Sequence, residues 1–397
     1  MYRINKEETT EVLKKLVSIS SPYFEEDQIM TYVYKWFDDQ GMKTTLHSYH
    51  EDKVTDFRGK NIIVELEGSQ PGPTICLNGH LDTVKLCNGW TKNPLGQVEG
   101  DKLYGVGALD MKSGCASTMV ALKAFKENHK TFKGKILSTY VSVEEGPYGM
   151  GTNALIEEGY LDNVDISIIT EPSAGFTGNA FPDICLGARG GYGLEIEFFG
   201  VSAHAATPDL GKNAALAASK VINELENVDY VEDPHLGRGD LCVVAVNCDG
   251  GACSVPDYAS VKLFWHIVVG EDEESIRREI EKAIKRAHIA CDYKINFREA
   301  PSEGSKGFLP YTITGEEPLA AAFIDTVNGI CDRRASQSYF QSIGDFNYLG
   351  SRLNTPAIIF GPSGEGFHAS DEYVWLESVY KTAEVIYAYL EKALVEE

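Results

Sequence analysis

The chain has no run near the ~18 consecutive apolar residues of a membrane span, and its first residues, MYRINKEETTEVLKKLV, carry charge where a signal peptide has an apolar core. Both absences predict a soluble cytoplasmic protein. Nine cysteines are an odd number and contain no C-x-x-C pair, which argues against a disulfide framework or a thiolate zinc site. They are expected to act as small hydrophobes in a reducing compartment. Basic residues are scarce: 36 Lys and Arg face 59 Asp and Glu, for a net charge of -23. So acidic a surface repels phosphate backbones and anionic lipid, excluding nucleic acid and membrane as partners. Internal repeats, low-complexity tracts and coiled-coil heptads are missing too.

What remains is a globular chain of 397 residues, 43% hydrophobic and 10% aromatic, long enough for two or three domains at ~100–200 residues each. Val12, Leu13, Leu16 and Val17 form one stripe of an opening helix over 6–18. Near-continuous Ile, Val and Leu runs mark strands at Asn61–Leu66, Thr74–Asn78, Lys135–Val143, Asp165–Thr170 and Ala357–Phe360. Helices are expected at 113–128, 150–158, 317–330 and 374–394, giving an α/β sheet covered on both faces. The middle differs. Strands at 193–200, 241–248, 259–268 and 291–297 and helices at 213–227 and 272–288 follow the β-α-β-β-α-β order of a ferredoxin-like layer. Residues 188–300 are therefore expected to be a second domain inserted into a discontinuous one, 1–187 with 301–397, and the turns ARGGYG and REAPSEGSKG are hinge candidates.

Four segments place His or carboxylates just after strand candidates: NGHLDTV (78–84), GALDMKSG (107–114), SVEEGPYGMGT (142–152) and ITEPS (169–173). FGPSGEGFHASDEYV (360–374) adds a late histidine. Ligands of open α/β sheets gather beyond the carboxyl ends of strands, where loops converge. Imidazole and carboxylate suit zinc, and also cobalt or manganese. An aspartate after a glycine-rich turn would offset the repulsion of two close ions as a bridge. Singly, His80 reads as a strand-end histidine bonded to backbone, Asp110 as a turn residue or cap, and Glu144 with Glu145 as a solvated pair. The ordered set of five segments outweighs those bland readings. GVGALDMKSG matches neither nucleotide-binding glycine pattern.

From LVSISSPYFEE (16–26) to FHASDEYV (367–374) the chain resembles the dizinc amidohydrolase and peptidase family of acetylornithine deacetylase, succinyl-diaminopimelate desuccinylase, aminoacylase and carboxypeptidase G. The resemblance implies a zinc-peptidase-like α/β catalytic domain with an inserted ferredoxin-like lid that dimerises. It implies two Zn2+ ions, with His80 and Glu171 on one, Glu145 and His368 on the other, and Asp110 as the bridge. Asp82 is expected to orient His80, Glu144 to be the general base, and the peptide after Asp110 to be cis. Because neighbouring strand residues face opposite ways, a turn at Gly146 is expected to bring both glutamates to the site.

In the lid, GVSAHAATPDLGKNA (200–214) resembles the segment whose histidine, here His204, reaches a catalytic site, commonly the partner subunit's, and stabilises the oxyanion. Arg189 resembles an arginine that contacts a substrate carboxylate, with a hinge salt bridge as the plain alternative. Two positions depart from the family. Cys253 stands where relatives carry asparagine, and His266 where they carry a carboxylate-binding arginine. Nothing nearby makes Cys253 a thiolate nucleophile, so Arg189, Cys253 and His266 are substrate-side candidates. The expected activity is zinc-dependent hydrolysis of a small N-acylated amino acid, as in deacetylases and desuccinylases, by a homodimer. A dipeptidase or carboxypeptidase is the alternative, and a catalytically silent binding relative is a third reading.

Overall fold

The computed structural model describes residues 4–251 and 253–395. It divides into two compact units, one of residues up to Ala188 and from Thr312 on, the other Arg189–Tyr311. The return falls later than the expected boundary at 300. Gly191 and Phe308 exchange main-chain hydrogen bonds of 2.8 and 2.9 Å, which keeps the segment after 300 on the inserted unit.

The first unit is built on a mixed sheet. Along it lie strands Lys43–Glu51, Phe57–Glu67, Lys133–Val141, Gln70–His80, Ile166–Ile169, Ala357–Ile359 and Asp183–Ala188, with Ser336–Phe340 also paired to the last. The four from Lys133–Val141 to Ala357–Ile359 run parallel. Their carboxyl ends, Val141, His80, Ile169 and Ile359, therefore share one edge, and His80 sits directly opposite Val141. Ile75, Cys76, Leu77, Ile166 and Ile168 are fully buried, as the apolar runs predict for strands covered on both faces. At ~1.5–3 kcal/mol for each large apolar side chain, this burial is the main stabilising term.

Helix Lys112–Asn128 is buried along most of its length, including Lys112 itself. The opening helix Lys6–Ser18 is capped by Asn5, whose side chain accepts the Glu8 N–H, and buries the expected stripe of Val12, Leu13, Leu16 and Val17. A small sheet unmarked by any apolar run pairs Gln97–Glu99, Lys102–Tyr104, Tyr373–Trp375 and Gly364–Glu365. It fixes the base of both loops that carry Asp110 and His368.

The inserted unit is a four-stranded antiparallel sheet in the order Asp240–Cys248, Tyr258–Ile267, Gly190–Phe199 and Asp292–Phe297. Helices Ala214–Leu225 and Glu273–Ala287 share its core with Ile196, Phe198, Val261, Leu263 and Trp265. This is the ferredoxin-like order expected from the sequence. Strand Asp240–Cys248 is an outer strand of that sheet and leaves Val243, Val244 and Val246 exposed.

Candidate metal centre

His80 ends its strand fully sheltered, and its two ring nitrogens have different jobs. Nδ1 lies 3.0 Å from the Asp82 carbonyl oxygen, so it donates there and leaves Nε2 as a lone-pair donor. Nε2 lies 3.2 Å from Glu171 Oε1 and 3.3 Å from Asp110 Oδ1. Across the site His368 Nε2 lies 2.8 Å from Glu145 Oε2 and 3.5 Å from Asp110 Oδ2. Two donor groups result, His80–Asp110–Glu171 and Asp110–Glu145–His368, each with its ligand atoms within 4.8 Å of one another. Asp110 gives one oxygen to each.

Asp110 is held by its loop. The N–H groups of Gly107, Leu109 and Asp110 all donate to the buried carboxylate of Glu372, at 2.9, 2.7 and 3.1 Å. Gly107 has φ +72° and its absent Cβ would lie 2.4 Å from Thr83 Cγ2, so glycine is required on both counts. The peptide between Asp110 and Met111 is cis. His368, at φ +59°, rides the loop between Gly364–Glu365 and Tyr373–Trp375.

The turn that brings Glu144 and Glu145 together lies earlier than expected. Val143, not Gly146, has the left-handed backbone, at φ +54°, a costly conformation for a β-branched residue. It is held from outside: the Val143 N–H donates to Glu26 Oε1 at 3.1 Å, and those of Glu144 and Glu145 donate to Asp82 Oδ1 and Oδ2 at 3.1 and 2.9 Å. Asp82 Oδ1 stands 3.6 Å from His80 Nδ1, so its carboxylate grips the two glutamates more closely than the histidine ring. Glu144 points Oε2 toward His80 Nε2, 3.9 Å away.

Packing these carboxylates in one buried place is costly. Burial and the nearby Asp110 push Glu171 up to about 8 and Glu145 up to about 7. Burial likewise raises Glu144 well above the usual carboxylate range. The hydrogen bond to Glu145 lifts His368 to about 9. Glu145 Oε1 is buried without a hydrogen-bond partner among the described residues. Crowded acids, an imidazole in each group and an orphaned oxygen are the donor set that divalent cations fit.

The remaining candidates lie in the inserted unit. The exposed ring of His204 accepts the Ala206 N–H on Nδ1 at 3.0 Å. Its main chain bridges Ser254, beside the exposed Cys253 at φ +54°. His266 Nδ1 lies 2.8 Å from Asp240 Oδ1, and Arg189 Nη1 lies 3.4 Å from Asp240 Oδ2. Asp240 thus joins two residues that the sequence offers as separate substrate contacts. Sequence motifs also passed over Glu26, Glu372 and Asp345. All three are buried acids, and each is visible only as an acidic residue inside a segment quoted for another reason or for none.

The chain is 27% identical to a succinyl-diaminopimelate desuccinylase of Sulfurovum sp. over 360 residues, covering 88% of this chain and 92% of that one. Its fold is similar to aminopeptidase PepT from Bacillus cereus, with a TM-score of 0.80 at 20% identity, over 98% of this chain and 99% of that one. It is also similar to the Bacillus subtilis YXEP protein, described as a dinuclear metal-binding peptidase, with a TM-score of 0.69 at 14% identity over 97% and 98% of the two chains. Residues 76–392 match peptidase family M20/M25/M40, a span that takes in all five ligand candidates and Glu144. The chain belongs to that family and is a metal-dependent hydrolase of amide bonds.

Proposed function

We propose that this hydrolase removes the acyl group from a small N-acylated amino acid or similar amine, using two Zn2+ ions, with Co2+ or Mn2+ as substitutes. The carrying observation is Asp110, one carboxylate shared between two His–carboxylate groups. His80 and Glu171 would hold one ion, Glu145 and His368 the other, and Asp110 both. When bound, such ions polarise the amide carbonyl and lower the pKa of water.

The chain's own groups do the rest. Glu144 Oε2 takes a proton from the attacking water as the O–C bond forms. It returns that proton to the amine nitrogen as the C–N bond breaks. Asp82 holds the backbone of Glu144 and Glu145 so that base and ligand keep their spacing. His204 accepts a hydrogen bond on Nδ1, which leaves Nε2 protonated as a donor for the oxyanion. In a homodimer, it would serve the partner subunit's site. The exposed valines of outer strand Asp240–Cys248 support pairing between two copies. Five of the nine free cysteines are buried, which fits a reducing cytoplasm.

A dipeptidase or exopeptidase is the second reading, and the match to a peptidase family favours keeping it. Asp240 already engages Arg189 and His266, so a carboxylate on the substrate must compete with an internal one there. Amine release from N-acetyl and N-succinyl amino acids and from dipeptides, with zinc-loaded protein beside Glu144→Ala, tests both. Acylated amino acids alone support the deacylase. Release from dipeptides selects the peptidase, and silence across the panel overturns both.

A further inference from the structure

A general base with two equivalent oxygens must be kept from turning both toward neighbours other than water. Glu144 is largely sheltered, with 12% of its side chain exposed, and its oxygens are treated differently. Oε2 faces the donor cluster, while Oε1 accepts the main-chain N–H of Asp345 at 3.1 Å. Asp345 is separated from Glu144 by 201 positions and belongs to none of the segments that carry the ligands.

The segment presenting that N–H is fixed at several points. Asp345 is buried, and its Oδ2 accepts the Thr152 hydroxyl at 2.5 Å. Tyr348 donates its hydroxyl to the Tyr148 carbonyl at 2.8 Å. Gly344 donates its N–H to Asn347 Oδ1 at 3.0 Å. Thr152 and Tyr148 lie just beyond Glu145 in the chain, so the stretch that follows the base is tied twice to the 344–348 segment, besides the bond at Glu144 itself. Space is close as well: a Cβ at Gly344 would lie 2.8 Å from Glu144 Oε1 and 2.3 Å from the Phe346 ring.

The geometry points to Asp345 as a positioning residue for the base, resting on the reading of Glu144 given above. Its N–H holds Oε1, its carboxylate anchors that N–H to Thr152, and Oε2 is thereby reserved for proton transfer. Releasing the anchor lets the Glu144 carboxylate rotate, so the fraction of encounters with a correctly aimed oxygen falls. Substrate and metal contacts are untouched. The loss therefore appears in kcat and not in KM.

The test combines Asp345→Ala, Asp345→Asn, Thr152→Val and Glu144→Asp, whose shorter side chain cannot span both contacts. We expect Asp345→Ala and Thr152→Val to lower kcat about tenfold, the scale of one well-placed hydrogen bond. KM should stay within twofold and two metal ions per chain should remain, while the melting temperature falls by only the few degrees that one unpaired buried group costs. Asp345→Asn keeps an oxygen for Thr152 and should recover most of the rate. In the Glu144→Asp background the Asp345→Ala loss should shrink below twofold, since the contact is already gone. Full additivity of the two substitutions, a change in KM alone, or a rate equal to the parent in Asp345→Ala overturns the assignment. Turnover surviving in Glu144→Ala would instead remove the base reading itself, a separate outcome read from a separate variant.

Discussion

At the residue scale, the site is a set of acids that are stable only because of what surrounds them. Glu144→Ala removes the proton carrier but no ligand, so turnover should drop by about 10²–10⁴-fold while metal content measured by atomic absorption stays at the parent value. Loss of metal would make Glu144 a ligand instead. His204 is exposed, so His204→Ala should lower kcat about a hundredfold or more with an unchanged melting temperature; an unchanged rate would remove the oxyanion role. Glu26 offers a pH test. Burial, with the neighbouring Asp82 adding to it, pushes Glu26 up to about 8 from 4.5. The folded state therefore keeps a proton that the unfolded chain has given up, and this contribution to stability is full below 4.5 and lost as pH rises through 8. Metal-free parent should lose stability relative to Glu26→Gln between those limits, and parallel denaturation curves across that range would contradict it.

At the scale of elements, the sequence exposes what is buried on two faces and hides what is buried on one. The central strands read directly because Ile75, Leu77, Ile166 and Ile168 lie in unbroken apolar runs. Strand Lys43–Glu51, KTTLHSYHE, buries only His47, Tyr49 and Glu51 and gives no such run. The small sheet beneath the Asp110 and His368 loops is missed for the same reason, since its strands are two or three residues long. The ligand candidates are legible because each follows a strand in a recognisable motif. Their supports are not, because Glu372, Glu26 and Asp345 are recognised only by the distant N–H groups they meet or present. At the turn the residue type points away from the structure: a β-branched residue is the last choice for φ +54°, and Glu26, Asp82 and the Met150 N–H hold the main chain around it. The Glu372 bonds predict a loop-scale effect. Glu372→Ala would leave the Gly107, Leu109 and Asp110 N–H groups without their acceptor, at about 1–3 kcal/mol for each one left unpaired. Urea denaturation should show a loss of several kcal/mol in the metal-free protein, with weaker metal binding as a second readout.

For the whole molecule, the two units were legible from composition and element order, and the later return at Tyr311 was not, because it depends on pairing between Gly191 and Phe308. The family match spans both units, and in the inserted one Asp240 joins the two proposed substrate-side residues, Arg189 and His266. The central claim, that two cations sharing Asp110 drive the reaction, is tested most directly by titrating zinc into chelator-stripped protein while recording bound metal and amine release. Two ions per chain are expected, with full turnover reached only as the second equivalent binds. Full activity with one ion, or activity retained with none, would contradict it.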